Sequence, residues 1–243
     1  DDAQVDEIKV DNYDTSVGIE VFYNFPSVES MGSILYVIYG DGRILVYNNF
    51  EIEKRTLPNI PKVGISMQIP KEFDAMTWFG RGPHENYLDR KSSAKVDIYS
   101  GKVSDQNHPY IRPQESGNKT DVRWATFRNV AGDGLLVRGL LSLNASHYLQ
   151  EDYDHGFGEM KSGATGNIKT TKQQRHSIDM VERELINLDI DLVQMGLGGE
   201  DSWWAQPLEK YQIKPKNYDY SFTLMPIKSD ENPVELNKNA FLK

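Results

Sequence analysis

Apolar residues along this chain alternate with polar ones or gather in short β-branched and aromatic runs, which Gly, Asn, Asp and Pro interrupt at close intervals. That is the pattern of strands and tight turns. Residues 33–39 and 43–50 read as a hairpin about Gly40-Asp41-Gly42, since Asp-Gly supplies the positive φ that joins twisted strands. Residues 124–129 and 135–141 repeat the device about Asp133-Gly134. Further strands are predicted over 17–25, 63–69, 75–79, 186–195 and 218–227, and one short helix over 148–154. Two stretches read as loops, 80–121, with no long strand, and 196–207; ordered loops of that length on a β scaffold carry function or interfaces. Trp78 and Trp124 fall in strand-like runs and read as core. No linker divides the chain, so residues 1–243 read as one all-β antiparallel domain.

Composition narrows the chemistry. With 27 Lys+Arg against 36 Asp+Glu the net charge is −9, and no basic cluster is present to neutralise phosphates, which argues against nucleic acid. The longest clean apolar run, 34–39, is far too short to cross a bilayer as a helix. There is no cysteine, so disulfides, thiol nucleophiles and Cys-based zinc sites are excluded. The five histidines, His84, His108, His147, His155 and His176, lack the spacing of a helical metal pair, and no metal ligand is assigned. Asp1-Asp2-Ala3-Gln4 is neither an initiator nor an export signal, so the chain reads as a processed product or a piece of a longer one; its compartment stays open. Asn118-Lys119-Thr120 and Asn144-Ala145-Ser146 fit the glycosylation pattern, which short sequons match often by chance.

No nucleophile elbow, phosphate loop or H-E-x-x-H is present. Glu85, Glu115, Asp154, Glu200 and Asp201 lie in loops where two carboxylates about 5 Å apart could serve a retaining glycosidase; solvation or pairing with arginine is the simpler expectation for each. Trp203 and Trp204 follow a polar, glycine-rich turn, where alternation cannot bury both. An exposed indole suits the apolar face of a sugar.

Four segments, in order, are recognisable. Residues 78–90, Trp-Phe-Gly-Arg-Gly-Pro-His-Glu-Asn-Tyr-Leu-Asp-Arg, closely resemble the W-x-G-x-G-P-x-E-N-Y-x-D-R signature of the C-terminal (small-chain, fifth-domain) region of bacterial β-galactosidases of glycoside hydrolase family two. Residues 109–118 are similar to the family's P-Y-x-x-P-x-E-N-G loop, with Ser116 where Asn is usual. Residues 147–152 are similar to its short helical entry, and 195–203 to its M-G-x-G-G-x-D-S-W turn. The resemblance runs from residue 63 to the end; before that only generic strands match.

The resemblance implies a galactose-mutarotase-like β-supersandwich and a parent enzyme that hydrolyses terminal β-D-galactosides with retention. In the family both catalytic glutamates belong to an N-terminal barrel, whose repeated βα units cannot be drawn from this pattern. The isolated chain is therefore expected to be inactive and to have no catalytic residue. Its implied contribution is Trp203 lining the sugar or aglycone position, with Trp204 as the competing indole. Glu85, Asn86, Tyr87, Asp89, Arg90, Arg112 and Glu115 are implied to organise the loops. Mg²⁺ and Na⁺ are implied for the parent, not for this piece. The partners implied are the barrel, a galactoside and further copies of the chain, since the family's W-R-x-P-x-D-N-D opening is absent and an exposed strand edge favours pairing. Two rivals remain: an independent carbohydrate-binding module, and an aldose mutarotase or epimerase using His84 or His147 with Glu115.

Overall fold

A computed structural model describes residues 3–53, 56–111, 113–153, 176–199 and 205–238. Its strands are β1 Gln4–Asn12, β2 Ser16–Phe25, β3 Ser30–Tyr39, β4 Ile44–Ile52, β5 Lys62–Pro70, β6 Ala75–Gly82, β7 Lys95–Lys102, β8 Lys119–Arg128, β9 Gly134–Ser146, β10 Leu185–Gln194 and β11 Tyr218–Ile227. Two short helices, α1 Gln150–Tyr153 and α2 Pro233–Lys238, accompany them. Every strand pairing is antiparallel, as the short runs and close turns predict.

The sheet runs β1-β2-β3-β4-β11-β9-β8-β6-β7, and β10 with β5 branches from it at β9. The fork has a simple origin. One edge of β9 pairs with β8, while its other edge gives residues 134–138 to β11 and residues 142–146 to β10. Gly139 stands between the two pairings. The branches are joined where the buried Tyr220 Oη donates to the Ile190 carbonyl at 3.0 Å.

Alternation supplies the core. Leu141, Leu143 and Ala145 of β9 and Ile186, Leu188 and Ile190 of β10 point to one side, where they pack with Val46, Trp78, Phe127 and Phe222. A smaller cluster of Trp124, Leu136 and Ile227 lies under Val234 and Leu236 of α2. Trp78 and Trp124 are core residues, 1% and 3% exposed.

Several expectations need correction. Both hairpin turns are present, but Asp41 and Asp133 keep negative φ and the left-handed positions are Gly42 (φ 84) and Gly132 (φ 87). Each such glycine closes a turn by donating back, Gly42 to the Tyr39 carbonyl and Gly132 to the Asn129 carbonyl. The second turn thus lies ahead of Gly134, which begins β9 with no room for a side chain: a Cβ there would sit 1.9 Å from the Phe127 carbonyl oxygen. The stretch 80–121 contains β7, an edge strand whose residues stay largely exposed and so carry no one-sided apolar signal. β1, exposed throughout, escapes the pattern for the same reason. The predicted helix shrinks to α1, and Asp154 lies outside the described residues. Among the described residues no helix is long and apolar enough to cross a membrane.

Candidate functional site: three loops and a polar cavity

The family-like blocks meet in space. Asn86, fully buried, donates its backbone N–H to the Asn118 carbonyl at 2.8 Å, and Asn118 Nδ2 donates to the Asn86 carbonyl at 2.9 Å. Asn86 Oδ1 accepts from the Thr120 backbone N–H at 2.8 Å and from its hydroxyl. Glu85 binds the same loop from the side. Its carboxylate accepts from the Gly117 N–H at 2.9 Å, Tyr87 Oη at 3.1 Å, Arg90 Nη2 at 2.8 Å and Tyr110 Oη. Burial alone would raise the Glu85 pKa, but these donors outweigh it and hold the carboxyl below its ordinary value. Burial pushes the Tyr87 phenol up, and Glu85 pushes it further, so that hydroxyl stays a donor.

Asp89 ties in the third block. Its Oδ2 accepts the Gly198 N–H at 2.8 Å, and a Cβ on Gly196 would lie 2.7 Å from Asp89 Cγ, so the chain passes the carboxylate only as glycine. Gly198 (φ 63) and Gly199 (φ 77) are left-handed, and Gly199 donates to the Ala205 carbonyl at 3.0 Å. Trp203 and Trp204, with Glu200 and Asp201, lie outside the described residues, as does Arg112. What is described is the clasp on either side of residues 200–204.

Glu115 belongs to a different cluster. Lys62 Nζ lies 3.2 Å from Glu115 and 2.8 Å from Asp189. Asp189 also accepts from Ser66 Oγ and from Asn187 Nδ2 at 3.1 Å. Asp191, 2% exposed, has its carboxyl pushed up to about 8 by burial; Lys62 opposes this, and Asp189 and Glu115 add to it. Burial pulls the Lys62 ammonium down, but Glu115, Asp189 and Asp191 more than reverse that.

Lys62, Ser66, Glu115, Asn187 and Asp189, though not Asp191, line a cavity of about 980 Å³ between the polar side of β5, β9 and β10 and the loop and helix that cover it. Its floor is the polar half of the alternation that makes the core: Ser66, Asp189 and Asn144 sit in register across three strands. Tyr148 and Tyr153 form the outer wall, their rings edge-on at 5.6 Å.

The remaining candidates resolve individually. His147 Nε2 lies 3.0 Å from Asp74 and its Nδ1 2.8 Å from the Leu185 carbonyl, and His84 Nε2 lies 3.1 Å from Ser93. Both are bonded away from Glu115, so the acid–base pair suggested for a mutarotase is not assembled from them. His155 lies outside the described residues. Glu85 and Glu115, proposed as members of a carboxylate pair, are fastened to separate partners. Among the described residues no three His, Asp or Glu side chains form a possible metal-ligand group.

Sequence reasoning missed Lys62, Asn144, Asp189 and Asp191. A signal was available: Asn187, Asp189 and Asp191 on β10 and Ser142, Asn144 and Ser146 on β9 are all short polar residues, whereas solvent-facing strand positions favour long charged ones. Lys119 was missed as well. It is 1% exposed, donates to the Gly117 carbonyl at 3.0 Å and stands 5.2 Å above the Trp78 ring; burial lowers its pKa to about 8 against a small opposing pull from Glu85.

Comparison with known proteins agrees with this picture. The chain is 37% identical over 200 residues to a beta-galactosidase of Priestia megaterium, 32% over 204 residues to one of Pseudoalteromonas haloplanktis and 29% over 226 residues to one of Vibrio cholerae. The matches cover 80%, 83% and 91% of this chain but 17%, 17% and 20% of those proteins, so the chain spans a fifth or less of their length. Two solved structures match it distantly: a GalM/aldose epimerase homologue from C. elegans (8% identity, TM-score 0.39, 92% of this chain and 69% of that one) and a galactose mutarotase related enzyme from Lactobacillus acidophilus (9%, 0.40, 93% and 73%). A model of the beta galactosidase small chain matches residues 1–224, and with the loop signatures found here joined to one another in space, this chain is a member of the β-galactosidase small-chain family.

Proposed function

We propose that this chain is the non-catalytic small-chain domain of a β-galactosidase, whose parent hydrolyses terminal β-D-galactosides through two glutamates on a separate N-terminal barrel. The observation that carries the reading is the family match over residues 1–224. The domain offers Trp203 as an apolar wall for the sugar or aglycone, with Trp204 the alternative indole. Asp89 positions that wall through Gly198, and Glu85, Asn86, Tyr87, Arg90 and Arg112 keep the neighbouring loops in place. An indole acts here by packing on the apolar face of a pyranose, while bond cleavage needs the barrel's acid and nucleophile.

Copies of the parent associate partly through this domain. In support, β1 pairs only with β2 among the described strands, and its Val5, Ile8 and Val10 are more than half exposed, an edge suited to a further strand. Mg²⁺ and Na⁺ are assigned to the barrel. The test is Trp203→Ala in the full-length parent. Galactoside affinity and hydrolysis should both fall, and unchanged values for both would refute the assignment.

A further inference from the structure

The polar cavity between β5, β9 and β10 has a wall built for a ligand, and the role given to Trp203 does not use it. From its lining we infer that it is a second saccharide site, one that takes a neutral hexose or the hexose end of a glycoside and lies wholly within this chain.

Its size of about 980 Å³ is at the upper end of the ~300–1,000 Å³ range of small-molecule pockets. The wall's hydrogen bonding is incomplete. Asn144 is 3% exposed and its Oδ1 has no donor, although its Nδ2 reaches Glu115 Oε1 at 3.3 Å. Gln194 Oε1 on the same wall is also without one. Buried acceptors left in that state cost stability; both oxygens are closed to solvent as they stand, so a ligand that brings donors gains by drawing these side-chain amides round toward the cavity.

Charge selects among ligands. Glu115 and Asp189 repel an anion. A metal cation would have to displace Lys62 from both carboxylates, and the described acids make no metal-ligand group. A polyhydroxyl ring fits what is left: each hydroxyl both donates and accepts, and the wall holds both acceptors (Glu115, Asn144, Gln194) and groups that can donate (Lys62, Ser66, Asn187). Tyr148 and Tyr153 supply an apolar face for the ring's C–H side. Burial raises the Tyr153 pKa, and its hydroxyl is already engaged at 3.1 Å with Ser146 and with Asn107, which fixes the ring. The site does not depend on the role given to Trp203, and each can fail alone.

The experiment is a titration of the 243-residue chain with D-galactose and with lactose, followed by calorimetry and by amide-resolved NMR. Saturable binding in the millimolar range is expected, with shifts at the side-chain amides of Asn144, Asn187 and Gln194. Tyr148→Ala should weaken it about fivefold, as the loss of an aromatic platform does. Glu115→Gln should weaken it about tenfold, as the loss of a charged acceptor does. Trp203→Ala should leave it unchanged. No shift at those three amides in the unmodified chain with sugar at about 100 mM, a hundredfold above a 1 mM constant, would overturn the site without any variant having to fold. Binding abolished by Trp203→Ala and insensitive to Glu115→Gln would overturn it as well.

Discussion

Asp89 and Gly198, 109 positions apart, are joined by one hydrogen bond of 2.8 Å from the glycine N–H to Oδ2 of the carboxylate. It fastens the loop that follows β6 to the turn that precedes Trp203. If that turn presents an indole to the substrate, loosening it should affect binding more than chemistry. Asp89→Ala in the parent should raise KM for a galactoside about tenfold with a smaller change in kcat, the loss of a charge-assisted hydrogen bond being worth ~1.5–3 kcal/mol. Asp89→Asn, which keeps an acceptor, should do less. Steady-state kinetics on both variants checks this, and an equal fall in kcat with KM unmoved would contradict the positioning role.

Asn86 and Asn118 hold each other through one main-chain hydrogen bond and one from the Asn118 side-chain amide to the Asn86 carbonyl, with the Thr120 N–H and hydroxyl donating to Asn86 Oδ1. Because Asn86 is fully buried, removing its amide strands donors that water cannot reach. Asn86→Ala should destabilise the domain by about 3 kcal/mol. Urea unfolding measures this, and a loss under ~0.5 kcal/mol, the range of a neutral surface change, would show the junction to be dispensable.

Glu85 predicts an acid limb. Its folded pKa lies below the ordinary 4.5 because Tyr110, Gly117, Tyr87 and Arg90 outweigh its burial. The stabilisation from its charge is therefore full above about pH 4.5 and lost as pH falls through the folded value. Glu85→Gln should cost about 2 kcal/mol at pH 7, the worth of charged hydrogen bonds, and progressively less on acidification. Unfolding curves of both proteins at several pH values test this, and a pH-independent difference would contradict it.

Asp191 predicts the opposite slope. Its carboxyl titrates near 8 in the folded chain and near 3.8 when unfolded, chiefly because it is buried. Between those values the folded state holds a proton that the unfolded state has released, so rising pH favours unfolding. Asp191→Asn should match the parent sequence near pH 4, gain on it steadily, and level off above pH 8. A stability difference that stays flat from pH 4 to 8 would rule out the buried protonated acid.

The core was legible because one-sided apolar alternation is what a half-buried strand produces. Ile186, Leu188 and Ile190 could be placed from their spacing alone, and they do pack in the core. The same alternation misleads about Asp189 and Asp191, which read as solvent-facing yet are 3% and 2% exposed. Lys62 and Ser66 of β5 hold Asp189, and Gly64 of β5 lies against Asp191; these neighbours are remote in sequence, so no local pattern encodes the burial. Lys119 is hidden for a related reason: lysine is rarely buried, and its resting place over Trp78 depends on the Asn86–Asn118 junction being made. Motif resemblance implied only that Glu85 and Asn86 organise the loops; their junction with residues 117–118 is a finding of the structure. Spacing alone leaves 80–121 as an undivided loop, because the exposed edge strand β7 within it leaves no pattern to read.

The most direct test of the division of labour is hydrolysis of a chromogenic β-galactoside by the purified chain, with the full-length parent and its Trp203→Ala variant alongside. The chain alone should release no chromophore above the buffer rate, the parent should turn over, and the variant should be impaired. Turnover by the chain alone would contradict the account, because the chemistry would then lie in the sheet described here.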